Sequence, residues 1–185
     1  DRLRSRGLGD VYKRQVLYIP SKEEVKELLQ KMDSRTSHNS EQFRLDRECK
    51  ILFLLYFCCG LRLSEGRLLK WEHIDLDKGI LTVLGSKGNK DRLVYLPQDS
   101  LPVLKNYKER QEMLFPGIDW AFPGKDPHKP VSCSGVESSF NRHWAMLPVA
   151  KTIDKHPTPH CLRHAFVVER FNEWMHQGTV SYTHL

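Results

Sequence analysis

In the stretch SKEEVKELLQKMD, the apolar residues Val25, Leu28, Leu29 and Met32 recur at i, i+3, i+4 and i+7, the spacing of one face of an α-helix. Ser21 and Glu24 stand ahead of them at capping-box spacing, so an amphipathic helix is predicted to begin there. A polar connector over residues 33–40 follows. The next segment, EQFRLDRECKILFLLYFCCG, begins amphipathic and ends apolar on every side, as a helix entering a core does; Gly60 is its predicted stop. A short helix is expected over 64–71. The period then changes, because GILTVLG and RLVYLP are rich in strand-forming residues and are separated by SKGNKD, which predicts a hairpin closed by a Gly-Asn-Lys turn. Residues 99–113 and 134–147 read as helices on either side of a Pro/Gly/Trp-rich loop at 115–132. Thr158 as N-cap, with Pro159 at the first helical position, starts the last helix. These elements predict a mainly α fold with a small antiparallel β-sheet, of the α+β class.

A chain of 185 residues is long enough to bury a core and suits one domain. Apolar content of 39% and charged content of 28% match a folded globular protein and exclude a fibrous repeat or wholesale disorder. The longest apolar run, Ile51 to Leu61, falls well short of the roughly 20 residues that span a bilayer. The first fifteen residues lack the apolar core of a secretory signal, so a cytoplasmic location is expected by default. Cys49, Cys58, Cys59, Cys133 and Cys161 form no C-x-x-C pair, and their odd number predicts free, mostly buried thiols. The net charge of +6 suggests a polyanionic partner only weakly, because half of it comes from residues 1–15. That segment shows no sustained periodicity, and TVSYTHL breaks a helix that otherwise runs to Gly178. Both ends, 1–15 and 179–185, are expected to be non-native tails around a domain at 16–178.

Three stretches carry candidate chemistry. In HPTPHCLRHAFVVERF, His160 and His164 have the i, i+4 spacing of zinc-binding helices, but no Glu follows His160 as in H-E-x-x-H, and Arg163 between them repels a cation. A phosphate site fits better: His160 and Arg163 share one face near a helix N-terminus, and a guanidinium can clamp two phosphate oxygens. The plain alternative is that Arg163 pairs with a carboxylate while His160 packs. In GLRLSE, Arg62 stands at a helix junction, where an arginine is ordinarily a cap or an ion-pair partner. In GSKGNKDR, Lys87 and Lys90 lie at the hairpin tip with Arg92 just beyond; an ordinary solvated turn would have the same composition.

Taken together and in order, G-L-R-x-S-E, K-G-N-K-x-R and H-x-L-R-H resemble the catalytic domain of the tyrosine recombinases, the phage integrase family, over about residues 18–178. The resemblance implies the tyrosine-recombinase catalytic fold and a site-specific enzyme that cleaves and rejoins double-stranded DNA. A tyrosine attacks a phosphodiester, leaving a 3′-phosphotyrosine and a free 5′-hydroxyl, with no metal or nucleotide cofactor. It implies that Arg62 and Arg163 stabilise the phosphorane-like transition state, that Lys87 is the general acid for the departing 5′-oxygen, and that His160 assists proton transfer near the nucleophile. Lys90 and Arg92 become candidates for contacts to neighbouring phosphates, and Glu65 and His164 become supports that orient the arginines. The pattern departs from the family after H-x-L-R-H. No Leu-Gly-His element follows, and Tyr182 in SYTHL, though worded like the family's nucleophile box, comes only 22 residues after His160. Tyr182 is accordingly read as a decoy and the nucleophile as missing. A binding but inactive chain is expected, monomeric where the intact family member forms a homo-tetramer on DNA. Two alternatives stay open: a non-catalytic DNA-binding or regulatory module, and a type IB topoisomerase-like enzyme.

Overall fold

The computed structural model describes residues 17–34, 39–86 and 90–176. Among the described residues, six α-helices are formed: α1 (Lys22–Ser34), α2 (Ser40–Cys59), α3 (Leu63–Arg67), α4 (Leu101–Leu114), α5 (Cys133–Trp144) and α6 (His160–His176). Between α3 and α4 lies an antiparallel sheet of β1 (Ile74–Asp75), β2 (Ile80–Ser86) and β3 (Lys90–Tyr95), in the order β1-β2-β3. The mainly helical architecture with one small antiparallel sheet is therefore as the pattern predicts.

The capping box at α1 is formed in full. The Ser21 amide donates to Glu24 Oε2 at 2.8 Å, and the Glu24 amide donates to Ser21 Oγ at 3.2 Å. The chain's centre is α2, whose Leu52, Phe53 and Leu55 are wholly buried because α1, α3, α5 and α6 surround its second half. Truncating any of these side chains to alanine costs about 2–5 kcal/mol in a close-packed core. Near its start, α2 also carries a buried carboxylate, Asp46, which accepts from Ser139 Oγ at 2.8 Å and from Arg142 at 2.5 Å and so ties α2 to α5.

The sheet shows a period of two. Leu81 and Val83 are buried, while Leu93 and Tyr95 point outward. Pairing runs Ile80↔Tyr95, Leu81↔Val94, Thr82↔Leu93 and Val83↔Arg92, then skips to Ser86↔Lys90, so one extra residue bulges on β2. Gly85 sits in this bulge at φ +58°, and its amide donates to Asp91 Oδ1 at 2.9 Å.

Two local expectations need correction, and one strand comes in addition. The helix predicted over 64–71 ends at Arg67, because the chain around Lys70 extends to bridge Trp120 in the long loop before a 3-10 turn begins at Trp71: the Ala121 amide donates to Leu69 O and the Trp71 amide to Asp119 O, both at 2.9 Å. The helix predicted over 134–147 spans Cys133–Trp144, capped by Ser132, whose Oγ accepts from the Gly135 amide. Strand β1 was not foreseen. All five cysteines carry free thiols; Cys49, Cys59 and Cys161 are buried and Cys133 is exposed. No helix among the described residues is long and apolar enough to cross a membrane.

Candidate functional site

Helix α2 ends because Gly60 turns left-handed, at φ 61° and ψ 33°, with its amide returned to Tyr56 O. Two residues later Arg62 becomes the N-cap of α3. Helix α6 packs directly onto this turn: a Cβ added at Gly60 would lie 2.4 Å from Cδ1 of Phe166. The close approach brings the first turn of α6, with His160 and Arg163, to the loop that carries Arg62. A direct hydrogen bond from Arg163 Nη1 to the carbonyl of Gly60 closes the junction.

Around this turn the charges are arranged on one carboxylate. Glu65 accepts from the Arg62 amide and from Arg62 Nη1, each at 2.7 Å, and from Nη1 and Nη2 of Arg92, each at 2.7 Å. Only 7% of the Glu65 side chain is exposed, against 37% for Arg62 and 32% for Arg92. Burial pushes the Glu65 carboxyl up, but the bonds from Arg92 and Arg62 outweigh it and hold the group down at about 2. At any ordinary pH this carboxylate is ionised.

Arg163 senses the same cluster. Its guanidinium is held below the ordinary arginine value first by burial, then by the charges of Arg62 and Arg92, with Glu65 acting in the opposite sense. The His160 ring is likewise lowered, by partial burial, then by His164, Arg163 and Arg62. The rings of His160 and His164 meet edge to face with centroids 4.8 Å apart. His160 is therefore a neutral imidazole at pH 7, with a nitrogen available to accept a proton.

Residues separated by about a hundred positions thus meet at one place: Arg62, Glu65, Arg92, His160, Arg163 and His164. The arrangement holds more fixed positive than negative charge at a partly open surface, as needed to bind a phosphodiester and to stabilise added negative charge on its oxygens. Lys87 and Tyr182 lie outside the described residues, as does the side chain of Lys90. Among the described residues, no group of three or more His, Cys, Asp or Glu side chains could hold a metal ion. The bond between Arg92 and Glu65 was missed from sequence. Alternation along RLVYLP places Arg92 on the face of Val94, a signal that it points inward and needs a partner.

Residues 20–182 match the model of the phage integrase family. The chain belongs to that family. Among its curated relatives, tyrosine recombinase XerA of Pyrococcus furiosus is 34% identical over 119 residues, covering 63% of this chain and 38% of the relative. Tyrosine recombinase XerC of Alcanivorax borkumensis is 34% identical over 150 residues, covering 80% of this chain and 46% of the relative. The chain spans less than half the length of either. The fold of this phage integrase family member is also that of solved recombinases. The XerA crystal structure superposes with a TM-score of 0.64 at 23% identity, over 85% of this chain and 52% of that one. The Tn1549 transposon integrase in complex with circular intermediate DNA superposes with a TM-score of 0.62 at 16% identity, over 91% of this chain and 56% of that one.

Proposed function

We propose that this chain is catalytic-domain sequence of a site-specific recombinase that binds double-stranded DNA and acts on one phosphodiester through a 3′-phosphotyrosine intermediate. The observation that carries the reading is the meeting of Arg62, Arg163 and His160 at the junction of α2 and α6. The two guanidinium groups bind the non-bridging oxygens and stabilise the extra charge that forms when a tyrosine oxygen attacks phosphorus. Neutral His160 takes up a proton near the attacking oxygen, and Lys87 gives one to the departing 5′-oxygen. Lys90 contacts a flanking phosphate, and Glu65 and His164 orient the groups that touch DNA. The chemistry needs neither metal nor nucleotide cofactor.

The polypeptide of 185 residues is proposed to bind without cleaving. Arginines and a lysine can polarise a phosphate but cannot form the covalent bond. Tyr182 follows His160 with no Leu-Gly-His element between them.

A suicide duplex nicked beside the scissile phosphate tests both parts. Duplex binding should weaken steeply with salt, and changing both Arg62 and Arg163 to alanine should lower the slope of log affinity against log salt by about two, one for each phosphate charge left unneutralised. No covalent adduct should survive denaturation. A Tyr182-linked adduct would refute the inactivity, and an unchanged salt slope would refute the site.

A further inference from the structure

Cross-strand pairing puts Arg92 opposite Val83 and Val94 opposite Leu81, on the face of the hairpin that packs inward, while Leu93 and Tyr95 occupy the outer face at 61% and 74% exposure. A guanidinium at an inward position is costly unless a carboxylate meets it. Glu65 meets it with two parallel bonds of 2.7 Å, and the same carboxylate holds the backbone and side chain of Arg62. The pair Val83↔Arg92 is also the last regular rung of the ladder. Beyond it the register slips around Gly85.

We propose that Arg92 is a positioning residue: by forking onto Glu65 it locks the last regular rung of the β2–β3 hairpin to the loop that carries Arg62, and so fixes the carboxylate that holds the Arg62 guanidinium in place for its phosphate. The role rests on the recombinase reading of the site. It differs from a phosphate contact, the role expected from the place of Arg92 in K-G-N-K-x-R, because what matters is the shape of the guanidinium and not its charge. A lysine keeps the charge but cannot make two parallel bonds to one carboxylate.

The test compares the 185-residue protein with Arg92→Lys, Arg92→Ala, Glu65→Gln and the double variant Arg92→Lys with Glu65→Gln. The readouts are the titration of the Glu65 carboxyl by carbon NMR, hydrogen exchange of the β2 and β3 amides, and duplex affinity by fluorescence anisotropy. In Arg92→Lys the Glu65 midpoint should rise from about 2 toward its ordinary value of 4.5, and hairpin amides should exchange about tenfold faster, as expected for losing a charge-assisted hydrogen bond. Arg92→Lys should lose as much duplex affinity as Arg92→Ala, and neither should add to the loss already caused by Glu65→Gln. If Arg92→Ala does not fold, the lysine variant alone carries the comparison. The proposal is overturned if Arg92→Lys keeps the wild-type midpoint, protection and affinity, or if the effects of Arg92 and Glu65 add. Should the midpoint and the exchange change as stated while the unaltered protein binds no duplex, the lock stands and the recombinase reading falls.

Discussion

A methyl group at position 60 would have to enter the ring of Phe166 while the backbone stays at φ 61°. The left-handed backbone and the overpacking together should make Gly60→Ala less stable by about 2–4 kcal/mol in urea unfolding. The same substitution should weaken DNA binding, because it displaces the carbonyl that holds Arg163. Glu65 makes a second prediction at this scale. Its folded midpoint of about 2 lies below its ordinary 4.5, so its contribution to stability is complete above pH 4.5 and disappears as pH falls toward 2. Acid titration of Glu65→Gln should lack that part of the acid limb. If the two acid limbs superimpose, Glu65 is not held as described.

Helix α3 is five residues long and depends on its neighbours. Tyr56 on α2 donates to the carbonyl of Leu63 at 2.9 Å, and a Cβ on Gly66 would lie 2.4 Å from the Tyr56 ring. Tyr56→Phe should therefore cost about 1 kcal/mol, and Gly66→Ala distinctly more, by chemical denaturation. The length of α3 was misjudged from sequence for the same reason. Local pattern carries α1 and the hairpin through a sustained period and α2 through its long apolar run, but Leu69 to Trp71 leave the helix to pair with residues 119–121, and no local pattern records a partner fifty positions away. Strand β1, at two residues, is too short to show alternation. In the site, Arg62, His160 and Arg163 were legible because their spacing within short motifs survives in sequence. The fork of Arg92 onto Glu65 was not read there: it joins two motifs 27 positions apart, and only the inward phase of β3 hints at it.

For the molecule as a whole, pH should act through groups of opposite sign. Glu48 is 7% exposed at the side chain, and burial pushes its carboxyl up to about 7 against the opposing pull of Arg44. The folded protein thus holds a proton that the unfolded chain has released between pH 4.5 and 7, so this group makes stability fall as pH rises through that window. His160, whose value is lowered on folding, makes stability rise with pH as the solution passes upward toward its ordinary 6.5. Glu48→Gln should remove the falling component and leave the rising one, giving a steeper gain in melting temperature between pH 5 and 7; an unaltered profile would show that Glu48 ionises normally. At the other end of α2 from Glu48, the oxygen that grips Arg163 belongs to the peptide chain itself at position 60. No codon change there can delete a main-chain oxygen. A substitution at position 60 can therefore loosen the second guanidinium only by displacing the main chain, as an added methyl does, and never by removing the acceptor itself.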